Sequence, residues 1–580
     1  MNGIGVCVRF DYFSGLEYTP TPMKKILLLL AGIACNLTGI AQSWNFGSSV
    51  GGRSNVDAAT SMARDAAGNY YVTGEFEASA LFGSSVITAT GFADQFVSKF
   101  NAAGVHQWTR TMGGQNNIME TGGVAVDGAG NVYVTGSYFF NVVLNGVTYN
   151  ANGGNDAFLA KYNTNGDFQW AQTISSAGTE KTTTIAALGN DIYLSGVCNQ
   201  PLTYGSVSFA STSGGEDAFL MKLDTAGNAA WGTIVGGPND DRGVCLSLSN
   251  NIVYWAGYFR GAANFNGTSI SSATAGNDDL FIVRMNPSGT QQWVKRYGGN
   301  FREVLNGISQ DTAGNPIGTG FFYGTVNFGV ASLTEAYGSQ PPAGNGDAFI
   351  LKMNAADGSA QWVRHIRSSG NFNEVGMAAS TDIGGSTYIT GNFGQSNTTF
   401  GSNTGQTGTS LTATNGKDAF IAKYGAQGDL RWVIKTGGAG NETGNAILWD
   451  ANGYVNIAGN FTGNLALGTN INLNAVPTRA SLYLARYDGL TVGLGETTNN
   501  TLQFSIMPNP ATDFVRISSP TGKGIDKISV YAIDGSLIMS EGFPFATPEM
   551  QLNVTDLAAG TYFIHVWSGA ETGVRKIQVQ

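Results

Sequence analysis

Seven acidic residues recur at one position of a repeated pattern, and this position is where the sequence offers most chemistry. Carboxylate oxygens are the ligands that Ca²⁺ prefers, and a pair of carboxylates can serve a glycosidase or lyase as acid and base. Placed around one central channel, these acids could hold Ca²⁺ or act on a polysaccharide. They are Asp57, Glu120, Glu180, Asp241, Glu303, Glu374 and Glu442.

Seven basic residues recur with the same regularity, and they argue against a metal site. Equal numbers of acids and bases invite structural pairing between strands or sheets. The sequence therefore favours structural roles for both sets, with a Ca²⁺ site as the alternative. The bases are Lys99, Lys161, Lys222, Arg284, Lys352, Lys423 and Arg486.

The Asp-x-x-Gly-Asn segments, such as Asp127 to Asn131, imitate part of a Ca²⁺ loop but lack its later bidentate acid. Turn chemistry explains them better.

Catalysis finds little support in the remaining residues. His106 and His365 lie beside tryptophans of different repeats, His565 lies near the C-terminus, and the sequence shows no Ser-His-acid triad. We expect no catalytic, cofactor-binding or metal-ligating residue, and no cofactor. Aromatic residues at Tyr138 to Phe140 and Phe321 to Tyr323 could stack on sugars, although most of them occupy core positions of the repeat.

Composition favours an all-β protein with many turns. Glycine accounts for 82 of 580 residues, charged residues for 12% and hydrophobic residues for 42%. The chain can bury a large core. Its net charge of −10 argues against a nucleic-acid partner.

Three segments recur seven times and determine the expected fold. One reads Asp-Ala-Phe-x-x-Lys in its clearest copies, another ends in Tyr-Val-Thr-Gly, and the third carries a tryptophan. The period is 61 to 70 residues. The tryptophans are Trp44, Trp108, Trp170, Trp231, Trp293, Trp362 and Trp432.

Each period predicts four antiparallel strands, called a to d here. In one period they are Val124–Asp127, Val132–Tyr138, Ala157–Tyr162 and a strand around Trp170, with a small hairpin between b and c. Apolar residues on both faces of b and c suit sheets stacked between two neighbours. Seven such sheets predict a seven-bladed β-propeller.

The count of strands predicts how the ring closes. The last repeat has no strand d after Tyr487, and an unmatched strand d lies around Trp44. We therefore expect the mature N-terminal strand to complete the seventh blade.

These repeats resemble the SBBP-type propeller repeats of bacterial exported proteins. The resemblance rests on the Ala-x-Asp-x-x-Gly-Asn-x-Tyr-Val-Thr-Gly, Asp-Ala-Phe-x-x-Lys and tryptophan signatures and covers residues 42–488. It implies a fold rather than a function, because propellers host enzymes, adhesins and scaffolds.

The N-terminus predicts an export signal. Residues 1–22 look like an over-extended start. Residues 23–41 predict a signal peptide with two lysines, a short apolar centre, and the small residues Gly39 and Ala41 before the cleavage site. No other stretch reaches transmembrane length. Removal of this signal leaves Cys198 and Cys245, which we expect to be buried free thiols; a single disulfide is the alternative.

The C-terminus resembles another export element. Residues 489–502 predict a linker, and residues 503–580 predict a small β-sandwich. Pro508 to Asp513, Tyr531, Leu557 to Tyr562 and Lys576 resemble the type A C-terminal sorting domain of the type IX secretion system. The resemblance implies a partner, the secretion machinery, and passage across the outer membrane of a Gram-negative cell, to the surface or beyond it.

The variable face of the propeller is the expected place for a binding site. Loops b–c and d–a emerge there, and the longest insertions are Thr334–Asn345 and Gln395–Lys417. Our leading hypothesis is a non-enzymatic module that binds a glycan or protein through this face. The alternatives are a carbohydrate-active enzyme, a hydrolase or lyase that uses the channel carboxylates, and a structural scaffold.

Overall fold

The computed structural model describes most of the chain after the signal region. It describes residues 44–580 except 52–56, 116–119, 212–213, 250, 337–345, 369, 371, 402–407, 451, 469–470, 476–478, 489–503, 520–521, 533–536 and 569–570. The predicted start (1–22), signal peptide (23–41) and linker (489–502) therefore lie outside the described residues.

The described residues form strands and no helix, so the all-β prediction is confirmed. In chain order the first strands are β1 (Trp44–Gly51), β2 (Asp57–Arg64), β3 (Tyr70–Phe82), β4 (Ser85–Phe100), β5 (His106–Met112), β6 (Glu120–Val126), β7 (Val132–Tyr138), β8 (Asn141–Leu144), β9 (Val147–Asn150), β10 (Asp156–Tyr162), β11 (Phe168–Ile174), β12 (Glu180–Leu188), β13 (Asp191–Cys198), β14 (Leu202–Tyr204), β15 (Val207–Phe209), β16 (Asp217–Leu223) and β17 (Ala229–Gly236). The next are β18 (Arg242–Ser249), β19 (Ile252–Arg260), β20 (Ala262–Phe265), β21 (Thr268–Ser271), β22 (Asp278–Met285), β23 (Gln291–Tyr297), β24 (Glu303–Gln310), β25 (Pro316–Phe322), β26 (Thr325–Asn327), β27 (Ser332–Thr334), β28 (Asp347–Met353), β29 (Ala360–Ser368), β30 (Val375–Thr381), β31 (Thr387–Phe393), β32 (Thr398–Phe400), β33 (Thr409–Leu411), β34 (Asp418–Tyr424) and β35 (Leu430–Lys435). The last are β36 (Gly437–Gly438), β37 (Glu442–Trp449), β38 (Tyr454–Thr462), β39 (Asn464–Leu467), β40 (Ile471–Asn474), β41 (Ala480–Asp488), β42 (Ser505–Met507), β43 (Phe514–Ser518), β44 (Ile525–Ala532), β45 (Leu537–Thr547), β46 (Glu549–Asn553), β47 (Gly560–Ser568) and β48 (Glu571–Val579).

The repeats pair as antiparallel sets of four strands, here numbered one to seven. In the order a, b, c, d they are β2-β3-β4-β5, β6-β7-β10-β11, β12-β13-β16-β17, β18-β19-β22-β23, β24-β25-β28-β29, β30-β31-β34-β35 and β37-β38-β41-β1. Between b and c, most repeats add a short hairpin, such as β8 with β9.

Strand β1 joins the two ends of the repeat region. It runs antiparallel to β41, with Trp44 opposite Tyr487 and Val50 opposite Leu482. Gly51 also pairs with Leu81 of β3, which links the first and last sets into one sheet.

The core lies between the sheets. Every residue of β7, Val132–Tyr138, is buried, because this strand is covered on both faces. The tight a–b hairpin before it is fixed by Asp127, whose Oδ1 accepts hydrogen bonds from the amides of Ala129 and Asn131, both at 2.9 Å. Gly130, at φ 83°, supplies the left-handed residue of that turn.

The C-terminal strands form two further sheets. One has the order β42-β43-β46 and the other β45-β44-β47-β48. Their buried residues, among them Val515, Ile528 and Ile564, form one apolar cluster. No helix that could span a membrane occurs in the part of the chain that the structure describes.

Candidate functional site

The repeated acids are buried between the sheets. Six of them are 0% exposed: Asp57, Glu180, Asp241, Glu303, Glu374 and Glu442. The seventh, Glu120, keeps 44% of its side chain exposed. Each of these residues begins strand a or immediately precedes it.

Most of these acids face an aspartate that is the first or second residue of strand c in the preceding set. At five junctions between neighbouring sets, the negative charge of that aspartate helps to raise the pKa of the acid. The pairs are Asp156 with Glu180, Asp217 with Asp241, Asp279 with Glu303, Asp347 with Glu374, and Asp418 with Glu442.

Burial favours the protonated form of these acids. Burial, with smaller contributions from the facing aspartates, raises the pKa of Glu180 to about 7 and that of Asp241 to about 8. Burial raises the pKa of Glu374 to about 8 and that of Glu303 and Glu442 to about 9. At neutral pH these buried carboxyl groups, except that of Glu180, are therefore largely uncharged. An uncharged carboxyl group suits packing between sheets rather than cation binding.

Two junctions supply their own cation, an arginine and a lysine, and a third places a histidine against its aspartate. Arg296 Nη1 lies 2.6 Å from Asp279 Oδ2, His365 Nε2 lies 2.7 Å from Asp347 Oδ2, and Lys435 Nζ lies 2.9 Å from Asp418 Oδ2. Among the described residues, no group of three or more His, Cys, Asp or Glu side chains is arranged to hold a metal ion.

The repeated bases contact other groups than the repeated acids, contrary to the pairing that the sequence suggested. They lie at the opposite end of the sheets and donate hydrogen bonds to turns of the next set. Lys99 Nζ donates to Thr164 O and Lys161 Nζ to Thr225 O, both at 2.8 Å. The bases therefore tie neighbouring sets together.

The Asp-x-x-Gly-Asn segments form hairpin turns, as turn chemistry predicts. Their aspartates accept hydrogen bonds within the turn itself, as between Asp311 Oδ1 and the amide of Asn315 at 2.9 Å.

A cavity of about 350 Å³ is lined by residues of strand a from all seven sets. Among its lining residues are Thr60, Thr183, Asn306 and Met377, which sit at β-bulges of strand a. No acid and no histidine is among the described residues that line it. The expectation that the repeated acids surround the channel is therefore wrong, because the start of strand a lies between the sheets.

The aromatic segments separate into buried and exposed residues. Tyr138 and Phe322 are fully buried, whereas Phe139 is 41% and Phe140 58% exposed. The rings of Phe139 and Phe140 are in edge contact, with centroids 4.2 Å apart. Phe321 is half-buried. The sequence pattern could not separate these cases, because all of these residues lie at the end of strand b or directly after it.

Phe140 has an unusual backbone. Its φ is 66°, a left-handed conformation that is rare for a bulky residue. Three other sets place glycine at the corresponding position, at φ values of 70°, 67° and 70°: Gly261, Gly324 and Gly463. One repeat therefore carries an exposed aromatic ring where the backbone favours glycine.

The sequence reasoning missed a charged cluster at the junction of the fourth and fifth sets. Arg260, Asp278 and Arg302 meet there. The signal was present in the sequence, because no other repeat has arginine at the positions of Arg260 and Arg302.

The remaining histidines and cysteines are far from one another in the sequence, and each contacts different groups. His106 Nε2 lies 2.8 Å from Thr109 Oγ1, and His565 stacks on Trp567 with centroids 3.7 Å apart. Cys198 and Cys245 are free and buried, which confirms the prediction.

The two long insertions are partly described. Thr334–Asn345 is described only as far as Ala336, and Gln395–Lys417 is described except for 402–407. In the second, β32 pairs with β29 of the preceding set.

Comparison with known families supports both resemblances. A family model described as a secretion system C-terminal sorting domain matches residues 505–580, and a model described as a β-propeller repeat matches residues 107–137. The chain thus carries β-propeller repeats and a type IX sorting domain. Through this domain it engages the type IX machinery and is exported to the cell surface or the extracellular space.

A curated relative covers part of the repeats. An uncharacterized WD repeat-containing protein, L264 of Acanthamoeba polyphaga mimivirus, is 27% identical over 243 residues. The match covers 38% of this chain and only 17% of that protein.

Two enzymes of known structure align over most of the chain. A streptogramin B lyase is 11% identical with a TM-score of 0.35, and the alignment covers 76% of this chain and 97% of the lyase. An ulvan lyase of polysaccharide lyase family PL25, bound to a saccharide, is 12% identical with a TM-score of 0.35. The alignment covers 71% of this chain and 93% of the ulvan lyase. At TM-scores this low, the likenesses carry no argument.

Proposed function

We propose that residues 42–488 form a seven-bladed β-propeller, closed by β1, that binds glycans without catalysis through the face where loops b–c and d–a emerge. Residues 489–502 serve as a linker, and residues 503–580 as the secretion domain.

Contacts between the seventh and first sets support the closed ring. Asn445 Nδ2 donates to Ala59 O at 2.7 Å, and Asn460 Oδ1 accepts from the amide of Ala59 at 2.7 Å. Tyr70 OH donates to Asn456 Oδ1 at 2.8 Å. These hydrogen bonds join residues nearly 400 positions apart, as expected where two ends of a ring meet.

The exposed Phe139–Phe140 pair is the single observation that carries the binding function. A positive φ at a non-glycine residue costs about 1–3 kcal/mol, and exposed aromatic rings are unfavourable in water. Clustered exposed apolar side chains mark interaction sites. A pair of rings next to Asn141 in the chain suits a pyranose ring, which has an apolar face and hydroxyl edges.

The enzyme alternative draws no support from the placement of its candidate acids. Glu303 and Glu374 are fully buried, and a general acid must reach the substrate. The scaffold alternative predicts that the mature protein binds no glycan at all.

A glycan array with the mature full-length protein tests the proposal. Phe140→Gly places at this site the residue that Gly261, Gly324 and Gly463 show to be compatible with the backbone, so the variant should fold. We expect it to lose at least tenfold in affinity for the glycans bound by the wild type, as for an aromatic hot spot.

Ile383→Ser is the matched control, since Ile383 is 70% exposed in an a–b turn at the opposite end of the sheets. Absence of glycan binding by the wild type, or equal binding by Phe140→Gly, would contradict the proposal.

A further inference from the structure

The junction between the fourth and fifth sets carries a cluster of charge and aromatic rings that blade packing does not require. We call it the arginine junction and define it as Tyr258, Arg260, Asp278, Arg302 and Phe321. Arg260 ends β19, Asp278 begins β22, and Arg302 immediately precedes β24. The cluster therefore lies on the same b–c and d–a face as the proposed glycan site.

One buried carboxylate holds two exposed guanidinium groups. Asp278 Oδ1 accepts from Arg260 Nε at 2.8 Å and lies 2.8 Å from Arg260 Nη2. Asp278 Oδ2 lies 2.9 Å from Arg302 Nε. The side chain of Asp278 is 3% exposed, whereas those of Arg260 and Arg302 are 36% and 47% exposed. Two positive charges share one negative charge, so the cluster is net positive on an acidic protein.

Arg302 is held between two aromatic rings. Its guanidinium carbon lies 5.3 Å from the centroid of Tyr258 and 5.7 Å from that of Phe321. Because Nε is engaged by Asp278 and the rings restrain the plane, the orientation of the guanidinium is fixed. Within the described part of the chain, neither Nη of Arg302 has a hydrogen-bond partner.

The neighbouring acids do not cancel this charge. Asp279 is bound to Arg296. Burial raises the pKa of Glu303 to about 9 and that of Asp241 to about 8, so both are largely neutral at pH 7. Glu335, 6% exposed, accepts a hydrogen bond from the amide of Gly324.

The cluster is confined to one junction. At the position of Arg302 the other repeats have Val56, Met119, Thr179, Asp240, Asn373 and Asn441. At the position of Arg260 they have Glu77, Phe139, Asn199, Tyr323, Gly394 and Thr462. Residues that maintain blade packing recur in every repeat, so a feature of one junction calls for another explanation.

We infer that the arginine junction is a subsite for an anionic polysaccharide, in which Arg302 and Arg260 bind a carboxylate or sulfate group and Tyr258 and Phe321 flank the adjoining sugar. The inference rests on the proposed glycan-binding function and names its ligand class. A planar guanidinium with free Nη groups matches both anions in a bidentate fashion. Since the guanidinium group of Arg302 is already held in place, little conformational entropy is lost on binding.

Binding of three probes to the mature full-length protein tests this: polygalacturonate, dextran sulfate and neutral dextran. We expect binding to at least one anionic probe and none to neutral dextran. Arg302→Gln should weaken binding at least tenfold, because hydrogen bonds to charged groups are among the strongest, and Arg302→Lys should restore only part of it. The two anionic probes separate a carboxylate ligand from a sulfate ligand.

Arg431→Gln is the matched control. Arg431 is 46% exposed and lies 2.6 Å from Asp429, in strand d of the sixth set. Equal binding by Arg302→Gln and wild type, or an equal loss in Arg431→Gln, overturns the inference; unchanged melting temperatures show that the variants are folded.

The Phe140→Gly variant separates the two proposals. If the wild type binds neutral glycans through Phe140 but neither anionic probe, the inference alone fails. If anionic binding depends on Arg302 and not on Phe140, the inference holds and the role of Phe140 fails.

Discussion

Trp44 lies opposite Tyr487 across an antiparallel strand pair, and the centroids of their rings are 5.2 Å apart. Strand β1 thus supplies the fourth strand of a sheet whose other three strands lie some 400 residues later. Its contribution to folding can be measured at single positions.

Val50 tests whether β1 is required for the folded state. Val50 is 2% exposed and packs with residues of the first and last sets, among them Tyr70 and Leu482. Val50→Asp would bury a charge without a partner, which we expect to lower the free energy of unfolding by more than about 3 kcal/mol. Thermal unfolding of the mature protein measures this.

Ser49→Asp is the control, since Ser49 is exposed on the same strand. A small effect of both substitutions would show that β1 contributes little to stability.

The strand pattern could be predicted from the sequence because it repeats. Strand b was predicted at Val132–Tyr138 and is observed over those residues. The pairing of β1 with β41 followed from counting strands, since one strand lacked a partner at each end of the repeats.

The environment of the repeated acids could not be predicted in the same way. Recurrence places Glu303 at the start of strand a, but its electrostatic environment includes the charges of Asp279 and Arg296 in the preceding set. Arg302 is a similar case, because its neighbours Tyr258 and Phe321 belong to different repeats. A sequence shows which residues recur, whereas packing between repeats decides which of them meet.

The buried acids predict that stability falls as the pH rises. The folded-state pKa of Glu303 is raised from 4.5 to about 9, so between these values the unfolded state releases a proton that the folded state keeps. Stability from this group is therefore fully present below about pH 4.5 and is lost progressively up to about pH 9. Glu374, Glu442 and Asp241 act in the same direction.

Glu303→Gln removes this titration while keeping the shape of the side chain. We expect it to raise the free energy of unfolding at pH 9 by more than about 1.4 kcal/mol, the free energy of a single pKa unit, and to change it little at pH 4.5. Glu120→Gln, at the exposed copy of the same position, should leave the pH profile of urea unfolding unchanged. A profile as steep in Glu303→Gln as in the wild type would contradict the assignment.

A glycine after strand d makes room for the strand-c aspartate in the fourth set. A Cβ on Gly298 would lie 2.0 Å from Asp279 Oδ2, closer than atoms can approach. Gly298→Ala should therefore displace Asp279 from Arg296 and lower the free energy of unfolding by about 2 kcal/mol, typical of overpacking.

Gly437 occupies the same repeat position in the sixth set, and a Cβ there would meet no atom within 4 Å. Gly437→Ala should be neutral or slightly stabilising, because alanine restricts the unfolded chain. Equal melting temperatures for the two variants would show that the aspartate moves without cost.

Lys352 tests how strongly a repeated base stabilises the a–b turn of its own set, which contains Asp311. Its Nζ lies 2.9 Å from Asp311 Oδ2, and the two side chains are only 6% and 9% exposed. Burial acts to raise the pKa of Asp311, but hydrogen bonds from Lys352 and Asn315 outweigh it, and the pKa is lowered. Lys352→Met would leave a buried carboxylate without its cation, which we expect to cost about 3 kcal/mol.

Lys99 provides the comparison at the same repeat position. Its Nζ donates to Thr164 O at 2.8 Å and lies 5.4 Å from the ring centroid of Tyr71, and in the described part of the chain it forms no ion pair. Lys99→Met should lower the free energy of unfolding by less than about 1 kcal/mol, since it leaves no buried charge without a partner. The double variant Lys352→Met with Asp311→Asn should recover most of the loss, because the amide can still cap its own turn. If the double variant is no more stable than Lys352→Met alone, the loss of stability comes from the packing of the lysine side chain and not from the unpaired carboxylate of Asp311.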